Sequence, residues 1–277
     1  MDIKVRRACP ADWQAVEELV HRARRKLPRL WWWEEHLADD SFIVIECEGA
    51  VTGALLACPD ESPVAWVRLA ALGNGLDIGA WLDWTLSPVL DELRRREAQS
   101  LSWMDYGGWA GPNLQHRGFR RLTDVVTLAK FDRALPHTSG AGVRLRPVAD
   151  ADIPAVAAVD RAAFTPHWWN SEDTVRRRAA SSSCFVVAQV ANSVIGYAEG
   201  ELRLPAAHLN RIAVHPAHQR LGIGALLLRD ALLSFWRSGA NQVTLNTQTN
   251  NLSSQRLYVS FGFEPVGSDT TVWERQL

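Results

Sequence analysis

Between Asn210 and Leu228 the chain reads N-R-I-A-V-H-P-A-H-Q-R-L-G-I-G-A-L-L-L. A short apolar stretch ends at a proline, a turn carries Gln219, Arg220, Gly222 and Gly224, and an apolar helix follows. Such a turn leaves backbone N–H groups bare at a helix N-terminus, where they can cradle a pyrophosphate. The glycines let the main chain approach the anion, and Arg220 sets a positive charge beside it. The amides from Leu221 through Ile223 to Ala225 are the candidate donors. Neither common nucleotide fingerprint fits: Gly222-x-Gly224-x-x-Leu227 lacks a third glycine, and no Lys-Ser/Thr follows.

The elements that must hold this turn are legible from patterning. Val143–Val148 alternates as a strand, and Ile153–Phe164 and Glu172–Ala180 read as helices. Ser183–Val190 and Ser193–Leu202 read as strands joined at Ala191-Asn192. Ala207–Val214 is a further strand, and Gly222–Trp236 a helix ended by Gly239. Gln242–Thr247 is a fifth strand and Ser253–Phe261 a helix with Ser253 as its cap. Phe263–Gly267 and Thr270–Arg275 are expected as a closing pair of strands.

The same order of features occurs twice. Arg6 with Ala11-Asp12 matches Arg146 with Ala151-Asp152, and Trp31–Trp33 matches Trp168-Trp169. Ser41-Phe42-Ile43-Val44-Ile45 matches Cys184-Phe185-Val186-Val187-Ala188, Ile78-Gly79-Ala80 matches Ile223-Gly224-Ala225, and Gly118-Phe119 matches Gly262-Phe263. The stretch Asp132–Gly142 is poor in large apolar residues and rich in turn formers, as a linker is. A repeat this long implies two copies of one mixed α/β fold. The expected division is residues 1–134, a linker at 135–142 and residues 143–277.

Composition sets the remaining bounds. The 277 residues suffice for two such domains, and the 47% apolar content is that of an ordinary globular chain. A formal net charge of -1 gives no reason to expect nucleic acid or an anionic membrane as partner. Cys9, Cys47, Cys58 and Cys184 form no C-x-x-C pair and have no histidines at metal spacing, so reduced thiols, no metal and a cytoplasmic location are expected. The Trp clusters are expected to pack core or an interdomain face, with stacking on an acceptor as the other reading. Arg94–Arg96 and Arg176–Arg178 are expected on solvated helix faces.

Three segments in order give the second half a resemblance to the GCN5-related N-acetyltransferase superfamily. Gln219-Arg220-Leu221-Gly222-Ile223-Gly224 resembles its Q/R-x-x-G-x-G/A acetyl-CoA loop, and it follows a strand ending Ile212-Ala213-Val214. Asn251-x-x-Ser254-x-x-Leu257-Tyr258 resembles its N-x-x-A/S-x-x-L-Y helix, and Phe261-Gly262-Phe263 the x-G-F after it. The resemblance implies two tandem folds of this type, each a mixed, splayed sheet flanked by helices. It implies acetyl-CoA as cosubstrate, with Ile212, Ala213 and Val214 lending a strand edge to pantetheine. The Val214 N–H would then polarise the thioester carbonyl. Asn251 and Ser254 are candidate cofactor contacts.

The resemblance implies Tyr258 as the acid that meets the departing thiolate. His208 lies where histone-type members carry a glutamate base, and Glu199 or Glu201 could act as base or bind a cationic amine. Asn246 stands where bacterial ribosomal-protein acetyltransferases carry glutamate. The first half is expected to be degenerate: Asp77 falls where Gly222 stands, and Ala110–Arg117 has no Leu-Tyr pair. The expected activity is acetyl transfer from acetyl-CoA to a primary amine in a ternary complex, with no acyl-enzyme. The partners are acetyl-CoA and an amine acceptor, and the chain is a monomer or homodimer. The rival is a non-catalytic acyl-CoA-binding sensor or interaction protein.

Overall fold

The computed structural model describes residues 2–27, 33–59, 63–138 and 142–277. The chain divides into two compact units, Met1–Thr123 with Thr270–Leu277, and Asp124–Asp269. The units are therefore not the two consecutive halves expected with a linker at 135–142. Residues 124–134 belong with the second unit, and the last eight residues belong with the first.

In the first unit, β1 (Ile3–Arg7) leads to α1 (Trp13–Arg22) and the two-residue strand β2 (Arg25–Lys26). Next come β3 (Phe42–Cys47), β4 (Ala50–Pro59), β5 (Val64–Leu72) and α2 (Ile78–Arg95), then β6 (Ser100–Asp105) and α3 (Gly111–Gln115). β7 (Arg120–Lys130) carries the chain into the second unit. There β8 (Arg144–Pro147), α4 (Ile153–Ala163), α5 (Glu172–Ser181), β9 (Cys184–Val190), β10 (Ser193–Arg203) and β11 (Ala206–Val214) follow. The rest of that unit is α6 (Ile223–Arg237), β12 (Gln242–Gln248), α7 (Leu252–Ser260) and the short β13 (Glu264–Pro265), before β14 (Thr270–Gln276) returns to the first.

The first sheet runs β1-β3-β4-β5-β6-β14 and the second β8-β9-β10-β11-β12-β7. In each, a parallel pair (β5·β6, β11·β12) sits among antiparallel neighbours; the last position is taken in the first sheet by β14 from the end of the sequence and in the second by β7, which precedes β8. The segments 263–267 and 270–275 are thus no closing pair. Glu264–Pro265 pairs with β7, whereas Thr270–Gln276 pairs with β6. Alternating hydrophobicity leaves the choice of partner to tertiary packing, since any edge of the right length satisfies it.

Each sheet buries both faces. Along β3, Phe42 and Val44 join the core beneath α1, and Ile43 and Ile45 the core beneath α2, the two-residue period of a central strand. In the second unit α4 and α5 cover one face, with Tyr197, Val187 and Ala213. α6 and α7 cover the other, with Leu209, Leu227, Leu245 and Tyr258. Arg6 and Arg146 repeat one device: each forks onto an aspartate, Asp12 or Asp152, which also accepts the amide of Cys9 or Ala149. Among the described residues no helix is long and apolar enough to cross a membrane.

The charge runs divide. Arg177 lies on a solvated face with Asp173, but Arg178 reaches inward to the buried Glu199, and Arg96 to Asp39 and Glu92. Trp33 is buried against Phe42, and the Trp169 indole N–H donates to the Phe164 carbonyl. Trp31 and Trp32 lie outside the described residues.

Candidate active site

β11 is the element on which the site depends. It pairs with β10 as far as Val214, but with β12 only from Ala206 to Leu209. β12 meanwhile continues along β7 to Gln248, so the two parallel strands part after Leu209. The His215 amide donates to the Ile195 carbonyl, and the Ala213 carbonyl faces Gly196, so the polar groups of Ala213 point toward β10. By alternation, those of Ile212 and Val214 point into the gap. The Gln219 side chain donates to the Val214 carbonyl at 3.0 Å from the loop side.

A bulge sets which face each side chain takes. Glu199 opposes Arg211 and Gly200 opposes Leu209, so Asn210 is an extra residue on β11. Ala207 and Leu209 face α6 and α7, and past the bulge Ile212 and Val214 face the same way. Arg211 and Ala213 turn to the α4 side. Gly196 and Gly200 are required here. A Cβ at either would lie within 2.8 Å of the Ala213 or His208 carbonyl oxygen.

The loop leads directly into α6. Arg220 and Gly222 have φ of +63° and +79°, and the residue between them, Leu221, is exposed. Alternating left-handed residues curl consecutive N–H groups into an anion-binding concavity. Gly222 is the N-cap of α6 and no side chain caps it, so the first-turn amides of Ile223, Gly224 and Ala225 have no helical acceptor. A Cβ at Gly224 would touch Leu257 at 3.4 Å and Val214 at 4.0 Å, which places this helix start against both the strand end and α7.

On α7, Tyr258 is buried and rests against Phe263. Burial pushes its phenol well above the ordinary value, with Ser254 one turn back partly opposing this. It is a neutral, proton-bearing group near pH 7. Asn251, not Ser253, is the N-cap: its side-chain oxygen accepts the Ser254 amide at 3.2 Å. That occupies one lone pair of the amide oxygen and leaves its NH2 to other partners. Asn246 on β12 takes the Thr127 hydroxyl instead.

The face toward α5 holds the acidic residues. Glu199 is 1% exposed, and its oxygens accept from Arg178 (2.9 Å), Ser182 (2.6 Å) and Asn210 (2.8 Å). It is a buried carboxylate held by three donors rather than one open to solvent. Asn210 also reaches Glu201 at 3.3 Å. His208 stands at the last rungs before the strands part, with Nδ1 2.7 Å from the Thr244 hydroxyl. Burial holds its imidazole below the ordinary value, against the opposing pull of Glu201 and Glu199. Tyr258 and His208 thus lie on opposite faces of the sheet.

Patterning missed the cluster around Arg211. Its guanidinium forks onto Asp160 at 2.8 and 2.9 Å, stacks over Phe164 at 3.7 Å and donates to the Trp168 carbonyl. Tyr197 also donates to Asp160, and Asn170 donates its amide at 2.9 Å. An arginine and an aspartate 51 positions apart leave no local signature. The one available hint is a charged residue set between apolar ones on a strand.

The first unit repeats the frame and closes it. Arg68 is the extra residue on β5, and β5 pairs with β6 only over Val64–Trp66. The edge corresponding to Ile212–Val214 is already used: β2 pairs with Ala71 and Leu72, and the Leu27 amide donates to the Ala70 carbonyl. Trp81, Trp103 and Trp109 pack in the core beneath α2 with ring centroids 5.9–6.2 Å apart.

Residues 154–263 match the family model described as the acetyltransferase (GNAT) family. Over 137 residues the chain is 34% identical to the N-alpha-acetyltransferase RimI of Mycobacterium tuberculosis, covering 48% of this chain and 81% of that protein. It is 38% identical over 104 residues to an uncharacterized protein of Mycobacterium leprae, covering 36% of this chain and 28% of that one. Among solved structures, a tandem GNAT protein from the clavulanic acid biosynthesis pathway aligns over 99% of this chain and 98% of its own, with a TM-score of 0.69 and 16% identity, a likeness of fold.

Proposed function

The chain belongs to the acetyltransferase (GNAT) family, and from that premise we propose that its second unit acetylates a primary amine at the expense of acetyl-CoA. The observation that carries this reading is the unpaired edge of β11 at Ile212–Val214, running into the uncapped start of α6. An extended amide-bearing arm can pair with the edge as a strand does, and its pyrophosphate then meets the amides of Leu221–Ala225.

In the proposed reaction, the amine nitrogen attacks the thioester carbonyl while the Val214 N–H holds the carbonyl oxygen. The N–C bond forms and the C–S bond breaks. The nitrogen's surplus proton passes to His208, and the departing sulfur takes the phenolic proton of Tyr258. Both groups start in the required state: the imidazole neutral because it is buried, the phenol protonated for the same reason. Glu199, with its oxygens engaged, holds Arg178 and Asn210 in place. Direct attack is favoured over an acyl-enzyme because the second unit's cysteine, Cys184, is buried and its thiol is pushed up to about 11.

The decisive experiment is thiol release from acetyl-CoA in the presence of small amines and of peptides with free α-amino groups. Peptides belong in the panel because of the similarity to an N-alpha-acetyltransferase. Stimulated release, lost in Tyr258→Phe, supports the transferase. Tight binding of acetyl-CoA without release, unchanged in Tyr258→Phe, supports a sensor instead.

A further inference from the structure

The Thr244 hydroxyl lies 2.7 Å from His208 Nδ1 and 3.3 Å from the Ala207 carbonyl oxygen. A hydroxyl has one proton to give, and a carbonyl oxygen can only accept. Both contacts are hydrogen bonds under a single assignment: Thr244 donates to Ala207, and its oxygen accepts from a protonated Nδ1. We propose that Thr244 is a positioning residue that fixes His208 as the neutral Nδ1–H tautomer and leaves the Nε2 lone pair free as the base. Among the described residues Nε2 has no hydrogen-bond partner.

The placement explains why this pair is built at this rung. His208 and Thr244 are directly paired across the parallel strands, one residue before the strands part. The ring is therefore anchored to the strand that leaves, at the foot of the gap. The charged groups that act on the ring are Glu199, Glu201 and Arg203 from β10 and Arg178 from α5. Glu199 is tied to Arg178 and Glu201 to Arg203, so neither carboxylate is the partner that selects the tautomer. Thr244 is left as the group that does. The consequence for turnover rests on the reading of His208 as base: the proton given up by the attacking amine goes to Nε2, while Nδ1 keeps its own.

The test uses the full-length protein labelled with 15N-histidine, with His208 assigned by its loss in His208→Gln. A neutral imidazole with a pyrrole-type Nδ1 and a pyridine-type Nε2 signal is expected. The pattern is expected to persist in Thr244→Ser, which keeps the hydroxyl, and to shift toward the other tautomer in Thr244→Val. A pyridine-type Nδ1 in the wild type, or an unchanged spectrum in Thr244→Val, overturns the proposal. With an accepted amine in hand, Thr244→Val is expected to lower kcat roughly tenfold, a part of what general-base catalysis contributes, with KM for acetyl-CoA unmoved and Thr244→Ser restoring it. If the nitrogen signals appear as expected while His208→Gln keeps full turnover, the tautomer assignment stands and the base reading falls.

Discussion

The Asp77 carboxylate accepts the Ala80 amide at 2.9 Å, so α2 of the first unit begins with its own anion in place. At the corresponding helix in the second unit the N-cap is Gly222, and the same donors are bare. One N-cap therefore satisfies with its own carboxylate the helix-start amides that the other leaves bare, and β2 closes the neighbouring strand edge as well. Calorimetric titration is expected to give one acetyl-CoA per chain. Asp77→Gly is expected to leave that stoichiometry at one and to lower stability by roughly a few tenths of a kcal/mol for the lost cap. A second binding event in either protein contradicts the reading.

Gly222 has φ of +79°, where a side chain is strained whatever space surrounds it. Gly222→Ala is expected to cost roughly 1–2 kcal/mol of stability and to weaken acetyl-CoA binding moderately. Gly222→Glu adds a carboxylate where the pyrophosphate is proposed to sit, and binding is expected to vanish. Equal affinities for the two variants count against an anion at this turn.

Arg178 and Glu199 form an ion pair whose carboxylate is almost wholly buried. Removing the arginine leaves that charge uncompensated, so Arg178→Leu is expected to cost about 3–5 kcal/mol in urea denaturation. The double variant Arg178→Leu with Glu199→Leu is expected to recover much of the loss. A loss below about 1 kcal/mol in the single variant shows that solvent screens the pair.

Asp12 is held at about 2 by hydrogen bonds from Arg6, with the Cys9 amide adding to the effect. Asp152 is lowered in the same direction by Arg146. Because the folded-state values are depressed, the unfolded chain takes up protons first as the pH falls. The stabilisation is complete above about pH 4 and is lost as the pH drops through about 2, amounting to roughly 2 kcal/mol for Asp12. Asp12→Asn is expected to flatten the acid limb of stability against pH. An unaltered limb removes this pair as its source.

Val272 is fully buried in β14, five residues from the C-terminus of the sequence, and it serves the first unit. Val272→Asp is expected to strip hydrogen-exchange protection from Ser100–Asp105, its pairing partner, while Ala206–Val214 keeps its protection. Loss confined to the second unit contradicts the division of strands.

Several elements of the site were open to local reading. The turn from Gln219 to Gly224 could be read because a left-handed N-cap calls for glycine at a defined offset from the helix start, a demand met within six residues. The repeated Arg6–Asp12 and Arg146–Asp152 forks were visible as a recurring spacing, though not as ion pairs. The inward reach of Arg178 was not readable, since a three-arginine run looks the same whether its third member meets water or a glutamate 21 positions away. The cap at Asn251 was displaced by two residues from the expected Ser253, because both residue types cap equally well and backbone geometry decides between them.

By itself the sequence determined the repeat, the α/β character of each copy and the placing of the glycine turn at a helix start in the second. Those follow from short-range periodicity and from the few residues that a left-handed turn admits. Tertiary structure alone decided that the units trade their last strands, that β2 seals the first unit's edge, and that His208 meets Thr244 where β11 and β12 part. Each of these joins residues tens of positions apart through backbone pairing, which any sequence of suitable alternation can supply, so the partner is chosen only when the whole sheet is assembled.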